Sequence, residues 1–180
     1  PKLFSGRNAI VFYATTEPHE ALLFGNQTLT MHEGRITQFG PTAEIYRKPN
    51  SLTSAQVFSD PPINIAKVTK KGKKLQLSHG GVSWPVAAAA EKLPDGDYSI
   101  GLQPHYVLPQ KSSETSGALS GRVLVTEISG SESVVHIDVG GQTWVSQSHG
   151  VHPHQVGEMA TFHADVSRAL FFDTAGKRVS

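Results

Sequence analysis

The feature that most constrains the fold of this chain is a series of short β-type segments that begins after Asp60-Pro61-Pro62. Turn dipeptides such as Gly80-Gly81, Asp95-Gly96 and Gly140-Gly141 separate the segments. Many short strands at this spacing are typical of a small antiparallel barrel or sandwich, and an OB-type barrel is one solution. We therefore predict a mainly β domain over residues 61–180. The predicted strands are Ile63–Val68, Lys74–Ser78, Val82–Val86, Gly96–Leu102, Gly121–Ser129, Glu132–Val139, Gln142–Gln147, Glu158–Ala164 and Leu170–Asp173.

Residues 1–60 differ in character and predict a small α/β segment. Ala9–Ala14 is a continuous apolar run, typical of a strand buried on both faces of a parallel sheet. One such strand cannot cover its own faces, so we expect a remnant of a larger domain, cut from a longer chain, whose apolar strand favours self-association. The other predicted elements are a helix at Pro18–Phe24, hairpin strands Gln27–Met31 and Arg35–Phe39, and helices at Thr42–Tyr46 and Leu52–Phe58.

A polar stretch interrupts the predicted strands. Gln110–Ser120 reads QKSSETSGALS and consists of small and polar residues. This composition is typical of a loop, so we predict a loop or a linker between two lobes of the β domain. The lobes would be built from Gly96–Leu102 and Gly117–Ser129.

Charge and cysteine content exclude several classes of function. Sixteen Lys and Arg against fifteen Asp and Glu leave a net charge of +1, which creates no long-range field for attracting nucleic acid or an anionic membrane. The chain has no cysteine, so disulfides and thiolate metal sites are excluded. No apolar run approaches the roughly 20 residues that cross a bilayer. These properties fit a cytosolic protein.

The sequence carries no motif for phosphate binding or for a serine nucleophile. A phosphate loop needs Gly-x4-Gly-Lys-Ser/Thr, because backbone N–H groups and the lysine must meet the phosphates. Gly72-Lys73 and Gly176-Lys177 lack both the upstream Gly and the following hydroxyl. Glu17, His19 and Glu20 lie together at a helix start, where acids usually interact with the helix dipole, so we interpret them as structural. We predict no catalytic residue, cofactor or metal in this chain.

His149, His152 and His154 are the best metal candidates in the sequence. Three imidazoles within six residues can in principle meet one zinc ion. Pro153 separates two of them, however, and no carboxylate is adjacent. We therefore favour a solvated loop between two strands, with local pH sensing as an alternative to metal binding.

Lys70-Lys71-Gly72-Lys73-Lys74 forms a basic patch on a predicted hairpin turn. Nucleic-acid modules combine such charge with stacking aromatics on neighbouring strands. Trp84 and Trp144 are far away in the sequence. We therefore favour a solvated turn and predict no nucleic-acid partner.

Seven blocks of the chain resemble the ATP-binding subunits of ABC importers for sugars, polyols and glycerol phosphate. Four ordered blocks resemble the end of the nucleotide-binding domain: Ile10–Ala21 (family motif YVTHDQxEA), Met31–Gly40 (MxxGRIxQxG), Thr42–Pro49 (xxEIYxxP) and Phe58–Asn64 (FIGSPxMN). Three further blocks resemble the accessory TOBE domain more loosely: Gly101–Val107 (GxRPEHV), Gly121–Val139 and Phe171–Arg178 (xxFDxxGxRI).

The resemblance implies both a domain division and a function. Residues 1–60 would be the carboxy-terminal remnant of a RecA-like ABC nucleotide-binding domain, and residues 61–180 a TOBE-type regulatory domain with an OB fold. The parent protein would bind ATP and Mg²⁺ and drive uptake of a sugar, glycerol or related polyol. Its implied partners are a second ATPase subunit, in a homodimer or heterodimer, and membrane permease subunits. Its implied location is the cytoplasm, at the inner face of the cell membrane.

Thr16 departs from the family pattern. The family's switch histidine, which contacts the γ-phosphate of ATP, falls at this position. A hydroxyl cannot donate a hydrogen bond as an imidazolium does, so the resemblance implies a degenerate ATP site at Thr16. Thr15-Thr16-Glu17-Pro18 is similar to the glycerol-type importers, which pair two different ATPase subunits.

A module that binds a small oxyanion is the alternative function. Related accessory domains bind molybdate through a strand entry rich in Ser, Arg and Asn. The matching stretch here, Ser116–Arg122, keeps Ser and Arg but lacks Asn. This alternative predicts binding of molybdate or sulfate.

Overall fold

The computed structural model describes residues 10–180, which belong to two compact units that divide between Asp60 and Pro61. Among these residues, no helix has both the length and the apolar character needed to span a membrane. The elements of the first unit are helix α1 (Pro18–Phe24), strands β1 (Gln27–His32) and β2 (Arg35–Pro41), and helices α2 (Thr42–Arg47) and α3 (Leu52–Val57).

Local sequence signals account for the elements of the first unit. Strands β1 and β2 form an antiparallel hairpin through a turn in which Glu33 and Gly34 both have positive φ, as a two-residue hairpin turn of type I′ requires. Helix α3 starts at Ser51, whose hydroxyl accepts a hydrogen bond from the backbone N–H of Ser54 at 3.2 Å. Helix α1 ends at Gly25. The helices and hairpin predicted for this unit are confirmed to within two residues.

The strand predicted at Ala9–Ala14 is wrong for residues 10–14, the part of it that the structure describes. Ala9 lies outside the described residues, and residues 10–14 have no regular secondary structure. The side chains of Ile10 and Phe12 are 88% and 94% exposed. A strand needs a neighbour to pair its backbone groups, and residues 10–180 provide none for this segment. Apolar composition alone therefore does not produce a strand here.

The second unit contains two five-stranded antiparallel sheets. Its strands are β3 (Asn64–Lys71), β4 (Lys74–Leu77), β5 (Ser83–Pro85), β6 (Gly96–Leu102), β7 (Val107–Leu108), β8 (Ser116–Ile128), β9 (Glu132–Val139), β10 (Gln142–His149), β11 (Met159–Asp165) and β12 (Leu170–Phe172), with a short helix α4 (Ala88–Glu91). The strand orders are β12-β6-β3-β4-β5 and β10-β9-β8-β11-β7. The predicted mainly β fold of the barrel or sandwich type is confirmed.

The two sheets share one apolar core, because inward and outward residues alternate along their strands. Strand β9 shows this period, with Val135, Ile137 and Val139 all buried. The indole rings of Trp84 on β5 and Trp144 on β10 meet edge to face, with 5.7 Å between their centroids. The core therefore lies between the sheets.

Side-chain hydrogen bonds link strand β10, at the edge of its sheet, to neighbouring strands. The carboxamides of Asn64 and Gln142 form hydrogen bonds between β3 and β10, which belong to different sheets. The Ser146 hydroxyl donates to the carbonyl oxygen of Val107 at 2.6 Å. Asn64 also accepts from the N–H of Val145, so both backbone groups of this residue in the middle of the edge are satisfied within the domain.

The loop predicted at Gln110–Ser120 is wrong in its second half. Strand β8 begins at Ser116, and its first residues pair with β11, in a register that sets Ser120 opposite Thr161. These small residues form a strand because Gly117 lies under Trp84, where a Cβ atom would come within 2.2 Å of the indole ring. Tertiary packing thus overrides the loop-like composition.

Candidate functional site

The segment that resembles the family's switch region is ordered by one carboxylate. Glu20 on α1 accepts hydrogen bonds from the hydroxyls of Thr15 and of Tyr13, the latter at 3.0 Å. These hydroxyls, Thr15 first, hold the pKa of the Glu20 carboxyl below its ordinary value. The same bond to Glu20 raises the pKa of Tyr13. Glu20 therefore fixes the backbone that leads into α1, a contact more specific than the predicted interaction with the helix dipole.

Thr16 lies within this ordered segment and is exposed. The hydroxyls of Tyr13 and Thr15, which precede it, are both engaged with Glu20, and Thr15 also accepts from the backbone N–H of Glu17 at 2.9 Å. A triphosphate needs backbone N–H groups and cationic side chains around it, whereas the nearest charged groups in sequence here are the carboxylates of Glu17 and Glu20. The described segment by itself does not fit ATP, and the role of Thr16 stays a prediction.

The three histidines at the end of β10 and in the loop after it each have a separate partner. His154 Nδ1 lies 2.7 Å from Glu158 Oε1, and His149 Nδ1 lies 3.7 Å from Glu132 Oε1. His152 Nε2 lies 3.0 Å from the carbonyl oxygen of His149. Within residues 10–180, no group of three or more His, Cys, Asp or Glu side chains is arranged to hold a metal ion. The three histidines are therefore not arranged around one point. The carboxylates of Glu132 and Glu158 lie near two of them, and the sequence analysis missed both carboxylates.

A carboxylate also organises the basic turn between β3 and β4. Asp95 accepts hydrogen bonds from the backbone N–H of Gly72 at 2.9 and 3.0 Å and from Lys70 Nζ at 3.1 Å. The Gly72 N–H and then the Lys70 ammonium hold the pKa of Asp95 below its ordinary value. Lys70 is buried, unlike the other lysines of the patch. The patch therefore contains one buried lysine, Lys70, which bonds to Asp95. The same carboxylate holds the turn through the backbone N–H of Gly72.

The stretch proposed for an oxyanion does not converge on one point. Ser116 Oγ accepts from the backbone N–H of Ser113 at 3.1 Å, and Arg122 Nη1 donates to the carbonyl oxygen of Gly157 at 3.2 Å. Ser116 and Arg122 are six positions apart on an extended strand, so their Cα atoms are separated by roughly 20 Å. A single small anion cannot contact both side chains.

Comparison with known proteins gives no match to any protein-family model, but it gives curated relatives. The chain is 25% identical over 177 residues to the uncharacterized ABC transporter ATP-binding protein YcjV of Escherichia coli O6:H1, covering 96% of this chain and 48% of that protein. It is 30% identical over 176 residues to the sn-glycerol-3-phosphate import ATP-binding protein UgpC 3 of Agrobacterium fabrum, covering 93% and 46%. It is 27% identical over 176 residues to UgpC of Cupriavidus metallidurans, covering 93% and 47%.

The chain spans about half the length of the curated relatives it matches. Among solved structures, the cytoplasmic molybdate-binding protein ModG, crystallised with molybdate bound, is similar at 20% identity with a TM-score of 0.46. That match covers 60% of this chain and 94% of the ModG chain.

The fold defines the class first: a mainly β chain in which a small unit of helices and one hairpin is followed by a unit of two five-stranded antiparallel sheets. The relatives then define the family resemblance. Over 93 to 96% of its length the chain is similar to ATP-binding proteins of ABC transporters, sn-glycerol-3-phosphate importers among them. The predicted resemblance to ABC-importer ATP-binding subunits is confirmed.

Proposed function

We propose that this chain is the carboxy-terminal part of an ABC-importer ATP-binding protein that serves uptake of a sugar, glycerol or related polyol. The observation that carries the proposal is the similarity over 93 to 96% of the chain to ATP-binding proteins of this kind, two of which are named for import of sn-glycerol-3-phosphate. The ordered blocks from Ile10–Ala21 to Phe58–Asn64 support it.

In this proposal the two units have different tasks. Residues 1–60 complete a RecA-like nucleotide-binding domain, in which segments outside this chain hold ATP and Mg²⁺. Residues 61–180 are a TOBE-type regulatory domain that pairs with its counterpart on a second ATPase subunit. The continuous core of this second unit supports a self-contained domain. The proposed location is the cytoplasmic face of the membrane, on the permease subunits.

The residue at position 16 bears on how fast the parent protein would hydrolyse ATP. A switch imidazole near the γ-phosphate can donate a hydrogen bond with positive charge, and such a bond is stronger than one from a neutral hydroxyl. The ordered conformation from Tyr13 to Glu20 supports a role for this segment as a preformed unit. We therefore propose that the ATP site containing Thr16 hydrolyses ATP slowly.

Uptake and co-purification in the source organism test the proposed function. Deletion of the gene is expected to abolish uptake of one labelled solute among sn-glycerol-3-phosphate, glycerol and maltose, and the wild-type gene is expected to restore it. The tagged full-length protein, purified from detergent-solubilised membranes, is expected to carry permease subunits and a second ATPase subunit. Unchanged uptake of all solutes, or an intact protein that brings no membrane protein with it, would reject the proposal.

A further inference from the structure

Strand β8 extends beyond its neighbour on one side of its sheet. Strand β11 pairs with β8 only as far as Arg122, and two further backbone bonds join Val123 to Gly157 and Glu158. From Val125 to Ile128, β8 pairs with β9 alone, and Leu124 is the bulge residue that has no partner in the β8–β9 register. The backbone groups of this segment that face away from β9 have no backbone partner within residues 10–180. This segment, Leu124–Ile128, is here called the free β8 edge.

The side chains of the free β8 edge are unusually apolar for an exposed strand. A bulge between Val123 and Val125 breaks the alternation, so that Leu124 and Val125 are both exposed. Leu124 is 40%, Val125 43% and Ile128 47% exposed. Exposed apolar strands with unpaired backbone groups pair readily with another strand, and most proteins block them.

One other sheet edge of the same unit is covered, and another is bonded at its middle. The chain end runs alongside β12, where the N–H of Val179 donates to the carbonyl oxygen of Phe171 at 2.8 Å and the N–H of Phe171 donates to that of Ser180 at 3.0 Å. The Asn64 carboxamide bonds both backbone groups of Val145 in the middle of β10, and the Gln142 carboxamide links β10 to β3. The contrast with the free β8 edge points to a partner for β8 rather than to a general lack of edge protection.

We propose that the free β8 edge pairs antiparallel with the same segment of a second copy of this chain. The strand is self-complementary in charge, because exposed Arg122 lies two residues before the free β8 edge and exposed Glu127 lies near its far end. An antiparallel alignment brings the basic end of each copy toward the acidic end of its partner, with Leu124 and Val125 between them. In the proposed function, the TOBE-type domains of two ATPase subunits pair, and the β8 contact is a surface through which they would do so. The biological role of the contact therefore rests on the proposed function.

The contact is small, and this determines how it must be measured. Stable interfaces bury on the order of 1,200 to 2,000 Å² in total, more than a few residues of paired strand supply. The isolated chain is therefore expected to show a weak, reversible monomer–dimer equilibrium. Sedimentation equilibrium across the micromolar to millimolar range measures its dissociation constant.

Three variants separate the β8 contact from other sources of association. Val125→Lys is expected to raise the dissociation constant about tenfold or more, because two lysines would then oppose each other across the strand pair. Ala118→Lys, on the part of β8 that has neighbours on both sides, is expected to leave it unchanged. Phe12→Ser, in the exposed apolar segment of the first unit, is also expected to leave it unchanged.

Hydrogen exchange of the wild-type chain provides a test that needs no variant to fold. The amides from Leu124 to Ile128 are expected to gain protection as protein concentration rises, while those from Gly117 to Gly121 are not. A monomer at every concentration, equal dissociation constants for wild type and Val125→Lys, or no concentration dependence at these amides overturns the inference. Uptake measured on the deletion strain decides the proposed function separately, so the two failures are distinguishable.

Discussion

Asn64 and Val145 exchange two hydrogen bonds across the β domain, although 81 residues separate them. Asn64 Nδ2 donates to the carbonyl oxygen of Val145 at 2.8 Å, and the N–H of Val145 donates to Asn64 Oδ1 at 2.6 Å. The carboxamide thus acts as a peptide unit would in a neighbouring strand. It joins β3 in one sheet to β10 in the other, and Asn64 is only 3% exposed. The asparagine that ends the block Phe58–Asn64 therefore has a structural task.

Asn64→Ala is expected to destabilise the β domain strongly. The substitution leaves the buried N–H and C=O of Val145 without partners, and each unsatisfied buried group costs about 1–3 kcal/mol. We expect the free energy of unfolding, from urea denaturation followed by backbone circular dichroism, to fall by about 3 kcal/mol. Gln76→Ala is a matched control, since its amide bonds to the carbonyl oxygen of Val82 near solvent. Equal stability of the two variants would contradict the prediction.

Gly117→Ala tests the packing of strand β8 against Trp84. The new Cβ atom would lie 2.2 Å from Trp84 Cδ1, and the indole is fully buried, so the ring must move. Overpacking of this kind costs about 1–3 kcal/mol. Movement of the ring also disturbs the bond from Trp84 Nε1 to the carbonyl oxygen of Ala118, which is 3.0 Å long. The NMR resonance of the Trp84 indole N–H is therefore expected to shift, while Ala118→Ser, on the outer face, leaves it in place.

The clamp formed by Asp95 predicts a defined dependence of stability on pH. Hydrogen bonds from the Gly72 N–H and from Lys70 hold the folded-state pKa of Asp95 below its ordinary value. The contribution is therefore present above the unfolded-state pKa of about 3.9 and is lost as the pH falls through the folded-state pKa. Thermal unfolding from neutral to acidic pH is expected to show this loss in the wild type and a shallower dependence in Asp95→Asn.

Lys70→Met separates the two causes of the Asp95 shift. The Gly72 N–H, the larger cause, remains in this variant, so the pKa of Asp95 is expected to rise only part of the way to its ordinary value. NMR titration of the Asp95 carboxyl carbon measures it. A wild-type Asp95 that titrates at or above the ordinary value for aspartate would contradict the clamp.

Thr16→His is expected to accelerate ATP hydrolysis by the full-length protein. An imidazole restores a strong donor at the switch position, and single donors aimed at developing charge are worth at least about tenfold in rate. The measurement is phosphate release by the full-length protein assembled with its permease. Thr143→His, an exposed threonine on β10, controls for added histidine. Equal rates for Thr16→His and wild type would remove Thr16 from the proposed site.

Much of the β architecture could be predicted because turn residues frame the strands locally. Strands β6 and β9 begin and end where the sequence predicts, between turn pairs such as Asp95-Gly96 and Gly140-Gly141. The start of β8 could not be predicted, since Gly117 belongs in a strand only because Trp84 covers it. The apolar run at Ala9–Ala14 misled for the opposite reason, because strand-like composition needs a neighbouring strand that residues 10–180 do not provide.

The contacts at the candidate sites were harder to predict, because sheet register creates them. Glu132 reaches His149 as its cross-strand neighbour, seventeen residues earlier in the chain. Asp95 reaches Gly72 because the next residue, Gly96, pairs with Lys70 in the β3–β6 ladder. His154 and Glu158, four residues apart, form the pair that sequence spacing could have revealed.

The perpendicular contact between Trp84 and Trp144 has a practical consequence. One indole belongs to each sheet, and these are the chain's two tryptophans, so their electronic transitions couple when the sheets are docked. The resulting exciton signal in the ultraviolet reports a tertiary event rather than strand content. The signal disappears if the two sheets separate, even when each sheet keeps its own hydrogen bonds between strands. Its loss therefore distinguishes a molten globule from the native domain without any added label.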